Sequence, residues 1–140
     1  MNGWNKMDEI DMDSQEKCYE VKKFPMPTKR YCQTLNLKNN PALIAEYRRL
    51  HSRREVWPEI LAGIRSVGIL EMEMYIRGVT VCMIMETPVD FDWDTAMERL
   101  SRLPRQQEWE DCVAHFQECV PGSGSAQKWK LMERMFYLYE

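Results

Sequence analysis

The sequence predicts an α+β domain in which an antiparallel sheet carries helices on one face. Three observations predict it. Some stretches alternate apolar and polar residues with the period of a strand. Others repeat their apolar residues with the period of a helix. The two kinds follow one another as β, α, β, β, α, β, each helix with a broken continuation. That order is the split βαβ, or ferredoxin-like, arrangement. A chain of 140 residues, 44% hydrophobic and 29% charged, suffices for one such domain with its own core.

Residues 1–28 are polar and acidic, show no clear period, and are expected to lie outside the domain, which is assigned residues 29–140. "DEIDMD" lacks the ligand spacing and the glycine of a cation loop and reads as a solvated tail. "RYCQTLNL" alternates Tyr31, Gln33, Leu35 and Leu37 against Cys32, Thr34 and Asn36. Asn40 then caps a helix that begins at Pro41, with Leu43, Ile44, Tyr47, Leu50 and His51 on one face. "VWPE" starts a second helix with the stripe Trp57, Ile60, Leu61, Ile64 and Val67, and Gly68 stops it.

"ILEMEMYI" sets Leu70, Met72, Met74 and Ile76 on one side of a strand; Arg77-Gly78 turns into "VTVCMIME", giving a hairpin. "WDTAMERLSRL" is helical up to Pro104, and "QQEWEDCVAHFQECV" up to Pro121. Within it Cys112 and Cys119 fall two helical turns apart, as small buried hydrophobes. "WKLMERMFYL" completes the order as a strand of weaker alternation, and "PGSGSAQ" before it is either a mobile lid or a plain connector. Because "VTVCMIM" is apolar on both sides, the sheet face away from the helices needs a cover, and pairing two sheets in a homodimer supplies one.

Composition narrows the function. The net charge is −3 and the basic runs are short and interrupted, so no nucleic-acid footprint is read. No window is long and apolar enough for a membrane span, and the first residues show no apolar secretion signal. Five cysteines without a CxxC pair fit reduced thiols in a cytoplasm.

Chemistry concentrates at one place. Tyr47 and His51, four residues apart, are neighbours on the apolar face of their helix. A phenol and an imidazole there form either a small polar site in an apolar pocket or two core residues with one hydrogen-bond partner each. Trp57, Trp93, Trp109 and Trp129 carry the same ambiguity between core and sugar platform. His51 and His115 are too few and too far apart for a histidine metal motif. "GSGS" does not open a helix as a phosphate loop does, and there is no GxSxG elbow and no cysteine in a nucleophile signature. Spacing alone leaves the activity unassigned.

Six segments together carry a resemblance: Tyr47-Arg-Arg-Leu-His51, Val56-Trp57-Pro58-Glu59, Gly68, Met74-Tyr75, Gln107-Glu108-Trp109-Glu110 and Met135-Phe136-Tyr137-Leu138. In this order, from about Lys29 to Leu138, the chain resembles the L-rhamnose/L-fucose mutarotase family. The resemblance implies a ferredoxin-like dimeric α/β barrel that interconverts the α and β anomers of a 6-deoxy-hexose. It implies His51 as proton donor, Tyr47 as a sugar contact and Trp109 in the pocket wall, with a monosaccharide as partner and no cofactor or metal. Rhamnose-type members carry a tyrosine where Met72 stands and a second tryptophan where Glu110 stands. Fucose-type members are closer, with "MEMY" and "QEWE", which implies L-fucose ahead of L-rhamnose. The gap from His51 to Trp57 is longer here by two residues. The substrate site expected is therefore Tyr47, Met72, Trp109, Glu110 and Trp57 around a catalytic His51. Two competing readings share the fold: a haem or small-molecule oxygenase with His51 as axial ligand, and a sugar-binding domain without catalysis.

Overall fold

In the computed structural model the described residues are 18–139; "DEIDMD" and Trp4 lie outside them. Four strands and five helices follow in order: β1 (Thr28–Asn36), α1 (Pro41–Leu50), α2 (Pro58–Ser66), β2 (Glu71–Arg77), β3 (Thr80–Pro88), α3 (Trp93–Ser101), α4 (Gln106–Ala114), α5 (Ser125–Lys128) and β4 (Lys130–Leu131). The sheet order is β2-β3-β1-β4, with every neighbour antiparallel. This is the ferredoxin-like topology the sequence predicts.

Local chemistry sets the element ends. The Asn40 side chain accepts from the Ala42 and Leu43 amides at 3.0 and 3.2 Å, and Pro41, which has no N–H to satisfy, takes the first helical position. Asp92 caps α3 by accepting from the Thr95 amide at 2.9 Å. Gly68 has a φ of +101°, a left-handed turn that sends the chain from α2 into β2.

The core lies between sheet and helices. Leu35, Leu37, Val81, Met83 and Met85 face it from the sheet, and Tyr47, Ile60, Met97, Leu100, Trp109 and Val113 from the helices. Met72, Met74 and Ile76 pair in register with Met85, Met83 and Val81 and extend the same face. The opposite face is mixed rather than uniformly apolar: Cys82, Ile84 and Glu86 of β3 are half-buried between Glu71 and Glu73 on one side and Cys32 and Thr34 on the other. There the Cys32 and Cys82 thiols meet at 3.4 Å. All five cysteines are free, and no helix among the described residues is long and apolar enough to cross a membrane.

Expectations for the later elements are corrected. The strand predicted over Trp129–Leu138 reduces to Lys130–Leu131 against Thr34 and Gln33, extended by one Met132 N–H to Cys32 carbonyl bond of 2.8 Å. Beyond it the chain leaves the ladder, and Met135, Phe136 and Leu138 are 96%, 74% and 71% exposed. The helix predicted to reach Pro121 ends at Ala114, because Gln117 bridges to Leu37 while Phe116 and Glu118 bond the backbone of Lys38 and Asn36. Cys112 and Cys119 thus do not share a helix, and both are half-buried. The segment before β4 holds a four-residue helix, Ser125–Lys128. Residues 18–27 have no helix or strand, yet the Tyr19 ring lies 5.9 Å from Tyr75.

Candidate active site

α1 and the turn after it set the central pair. Tyr47 is buried on the sheet-facing side, and His51 follows as the C-cap, its backbone N–H bonded to the Arg48 carbonyl. Their rings lie 4.4 Å apart. The His51 Nδ1 is 2.8 Å from the Tyr47 backbone carbonyl. A carbonyl only accepts, so in the neutral imidazole Nδ1 carries the proton and Nε2 is left as the acceptor. Burial pushes the imidazole below its ordinary titration range, opposed in part by that same hydrogen bond. His51 is therefore neutral at pH 7, with a basic nitrogen to offer.

Tyr47 complements it. Burial raises the phenol to about 12, against the lowering effect of a hydrogen bond from Gln117. Gln117 Nε2 donates to the Tyr47 hydroxyl oxygen at 3.1 Å, so the phenol keeps its own proton and can donate it elsewhere.

Both residues line a cavity of about 650 Å³ between the sheet and helices α1, α2, α4 and α5. Its sheet side is Met72, Met74 and Met83, and Ile60 and Ile64 of α2 with Leu100 of α3 close the helix side. Trp109 and Trp129 supply aromatic walls, and Glu110, Gln106 and Gln117 supply polar groups. Lys22 of the N-terminal segment and Ser125 of α5 also reach it.

Of the expected site residues the structure gathers Tyr47, His51, Met72, Trp109 and Glu110 at this cavity. Trp57 stands behind them: its ring is 5.1 Å from Trp109, and the Arg105 guanidinium lies over it at 4.1 Å. Trp109 in turn sets the edge of its contact against His51 at 5.4 Å. Trp93 packs on Tyr31 at 4.7 Å instead, and His115 is exposed beside Phe116.

Glu110 is not a free carboxylate. Lys128 Nζ donates to its Oε1 at 2.9 Å and to its backbone carbonyl at 2.6 Å, and Gln106 Nε2 donates to its Oε2 at 2.7 Å. The lysine side chain is fully buried and the glutamate side chain 8% exposed, so the two charges neutralise one another in the cavity wall. Sequence reasoning missed Gln106, Gln117 and Lys128. The i, i+4 spacing of Gln106 and Glu110 was a usable signal; nothing local marked Lys128. Among the described residues no group of three or more His, Cys, Asp or Glu side chains is placed to hold a metal ion.

Fold and site together define a class: ferredoxin-like α+β proteins that hold a tyrosine–histidine pair at a cavity between sheet and helices. Comparison with known proteins makes it particular. The family model for L-rhamnose mutarotase matches residues 30–138. An L-fucose mutarotase of Xanthomonas campestris is 38% identical over 115 residues, covering 82% of this chain and 92% of that protein. A UPF0734 protein of Dictyostelium discoideum is 30% identical over 114 residues, covering 79% of this chain and 90% of its own length. A crystal structure of an L-rhamnose mutarotase from Formosa agariphila shares the fold, with a TM-score of 0.59 at 18% identity over 79% of this chain and 98% of that one. The chain belongs to the L-rhamnose mutarotase family, whose named members are sugar isomerases.

Proposed function

We propose that this protein interconverts the α and β anomers of a 6-deoxy-hexose, L-fucose ahead of L-rhamnose, by acid–base catalysis between His51 and Tyr47. The observation that carries the reading is the hydrogen-bond pattern of that pair: a neutral imidazole with Nε2 open, beside a phenol whose oxygen accepts from Gln117. Opening the hemiacetal needs one group to take the anomeric hydroxyl proton and another to give a proton to the ring oxygen. Nε2 takes the first, and the Tyr47 hydroxyl gives the second. After the carbonyl carbon rotates, the same two protons return as the ring closes on its other face, and His51 is then the donor. No electrons leave or enter. The methionines, Trp109 and Trp129 suit the apolar face of a deoxy sugar. The preference for L-fucose is supported by the identity to the Xanthomonas protein and by Glu110 in the wall.

The reading extends to a cytoplasmic homodimer. Support comes from the exposed Met135, Phe136 and Leu138 and from the half-buried Cys82 and Ile84 on the open sheet face. Light scattering at micromolar concentration tests the dimer, and a monomer refutes it.

Saturation-transfer NMR on L-fucose and L-rhamnose tests the activity. The protein should accelerate exchange of the L-fucose anomers, and His51→Ala should lower that rate by about 10²-fold or more. A folded His51→Ala variant with the wild-type rate refutes the assignment of His51. A wild type that binds sugar without faster exchange makes the protein a binding domain instead.

A further inference from the structure

Gln117 is 2% exposed and lies in the cavity wall. Its Oε1 is buried with no hydrogen-bond partner. The backbone around it is pinned: Gln117 bridges to Leu37, the Lys38 amide donates to the Phe116 carbonyl at 2.9 Å, and the Glu118 amide donates to the Asn36 carbonyl at 2.9 Å. Those bonds hold the side chain's root in place beside the cavity. The amide's other end already donates to the Tyr47 hydroxyl at 3.1 Å. Turning the amide over would only exchange the ends, leaving Nε2 unpaired in place of Oε1. Either way one polar end of a buried amide is unmet, in a wall that also holds Met72, Met74, Met83 and Trp109. Buried polar groups in folded proteins nearly always have a partner.

We infer that Gln117 is a substrate-binding residue that selects for a hydroxyl at one ring position of the sugar. The inference rests on the mutarotase reading and deepens it. A hydroxyl gives one hydrogen bond and accepts others. Gln117 Oε1 accepts its proton. Donation from Nε2 takes up a lone pair of the Tyr47 oxygen, so the phenol's own O–H turns from Gln117 toward the cavity that both residues line. One sugar hydroxyl thus donates to Oε1, while the phenol's O–H stays free for the ring oxygen. A sugar with hydrogen there, or with the hydroxyl inverted, leaves Oε1 unpaired and forgoes that hydrogen bond. Gln117 is also a positioning residue for Tyr47, since it fixes which way the phenol donates.

The test is a cycle between residue and sugar. L-Fucose and its 2-, 3- and 4-deoxy analogues are titrated by calorimetry into the wild type, Gln117→Met and Gln117→Leu, and anomer exchange is read on the same samples. In the wild type one deoxy analogue should bind about tenfold more weakly than L-fucose, as for one lost hydrogen bond. In Gln117→Met that discrimination should fall to about twofold or less, while the other analogues keep theirs. A folded variant that keeps the wild-type discrimination overturns the inference, and so does one that weakens every sugar by the same factor. Should both variants fail to fold, the wild-type side-chain amide decides. Its Nε2 cross-peak must shift with L-fucose and not with the rejected analogue; a peak unmoved by L-fucose overturns the inference. Discrimination through Gln117 without faster exchange would sink the mutarotase reading alone. Exchange without that discrimination would sink this inference alone. A wild type that neither binds nor exchanges any of the sugars takes down both.

Discussion

Removing one partner of the Glu110–Lys128 pair should destabilise the protein more than removing both. In Lys128→Met the Glu110 carboxylate keeps only the Gln106 amide, with its side chain 8% exposed. The penalty is capped by the cost of neutralising the orphan. From an ordinary carboxyl pKa of about 4.3, protonation at pH 7 costs about 3.7 kcal/mol. In Glu110→Leu the orphan is an ammonium with a fully buried side chain and only the residue 110 carbonyl to bond. From about 10.4, its neutralisation at pH 7 costs about 4.6 kcal/mol. The double variant has no buried charge and, like Glu110→Leu, leaves Gln106 Nε2 without its acceptor, a loss of about 1–3 kcal/mol. An unfolding entropy of about 2.1 cal/mol/K per residue turns each kcal/mol into roughly 3–4 °C for this chain. Melting followed by circular dichroism at fixed protein concentration should place Lys128→Met up to about 15 °C below wild type, Glu110→Leu lower still, and the double variant above either. The sign with pH is specific. Burial without a counter-charge disfavours the ionised carboxyl, so the deficit in Lys128→Met is largest at neutral pH and shrinks on acidification. At pH 5 the neutralisation cost is about 1 kcal/mol. A Lys128→Met protein melting within about 3 °C of wild type, or a double variant no better than the worse single, would refute the reasoning.

The depressed His51 pKa predicts that the exchange rate falls on acidification with a midpoint below the ordinary imidazole value of about 6.5; an NMR rate profile centred above it would contradict the buried neutral base. The same shift makes His51's contribution to stability present above the unfolded pKa and lost as pH falls through the folded one, which urea titrations from pH 7 downward should read as a declining midpoint. Tyr47→Phe removes the phenol proton and leaves Gln117 Nε2 unpaired. It should lower exchange about tenfold or more and stability by about 1–3 kcal/mol, both read on one sample. Glu110→Trp combined with Lys128→Met should shift preference from L-fucose toward L-rhamnose, and an unchanged ratio of exchange rates means the choice is made elsewhere. Gly68→Ala should cost about 1–2 kcal/mol, because its φ of +101° is strained for any residue with a Cβ; an unshifted urea midpoint counts against that turn.

What was legible in the sequence was whatever repeats along one element. The stripe through Leu43, Tyr47 and His51 and the alternation Met72, Met74, Ile76 have fixed periods, and both emerged on the predicted side of the sheet. The ends of α4 and β4 were not legible, because bonds between distant segments decide them. Leu37 captures Gln117 and ends a helix whose local pattern would continue. Nothing within "WKLMERMFYL" says that β1 pairs with only its first residues. The polar half of the site was hidden for a related reason. Lys128 follows a Gly- and Ser-rich stretch and reads as a solvated cation until the fold lays it on a carboxylate 18 positions earlier. Glutamine does no acid–base chemistry, so Gln106 and Gln117 become meaningful only once their partners are known.

The Glu110–Lys128 tie also constrains how such a site could change over generations. An aromatic residue at position 110, as in the rhamnose-type pattern, and a neutral one at position 128 each cost less with the other than alone. Any route taken one substitution at a time passes through a protein with an orphaned buried charge. The two orders are not equivalent. Losing the lysine first leaves a carboxyl group, which neutralises itself at pH 7 for about 1 kcal/mol less than the ammonium left by losing the glutamate first. The less costly path begins at Lys128, so chains in which both positions have changed should carry the change at 128 before the change at 110.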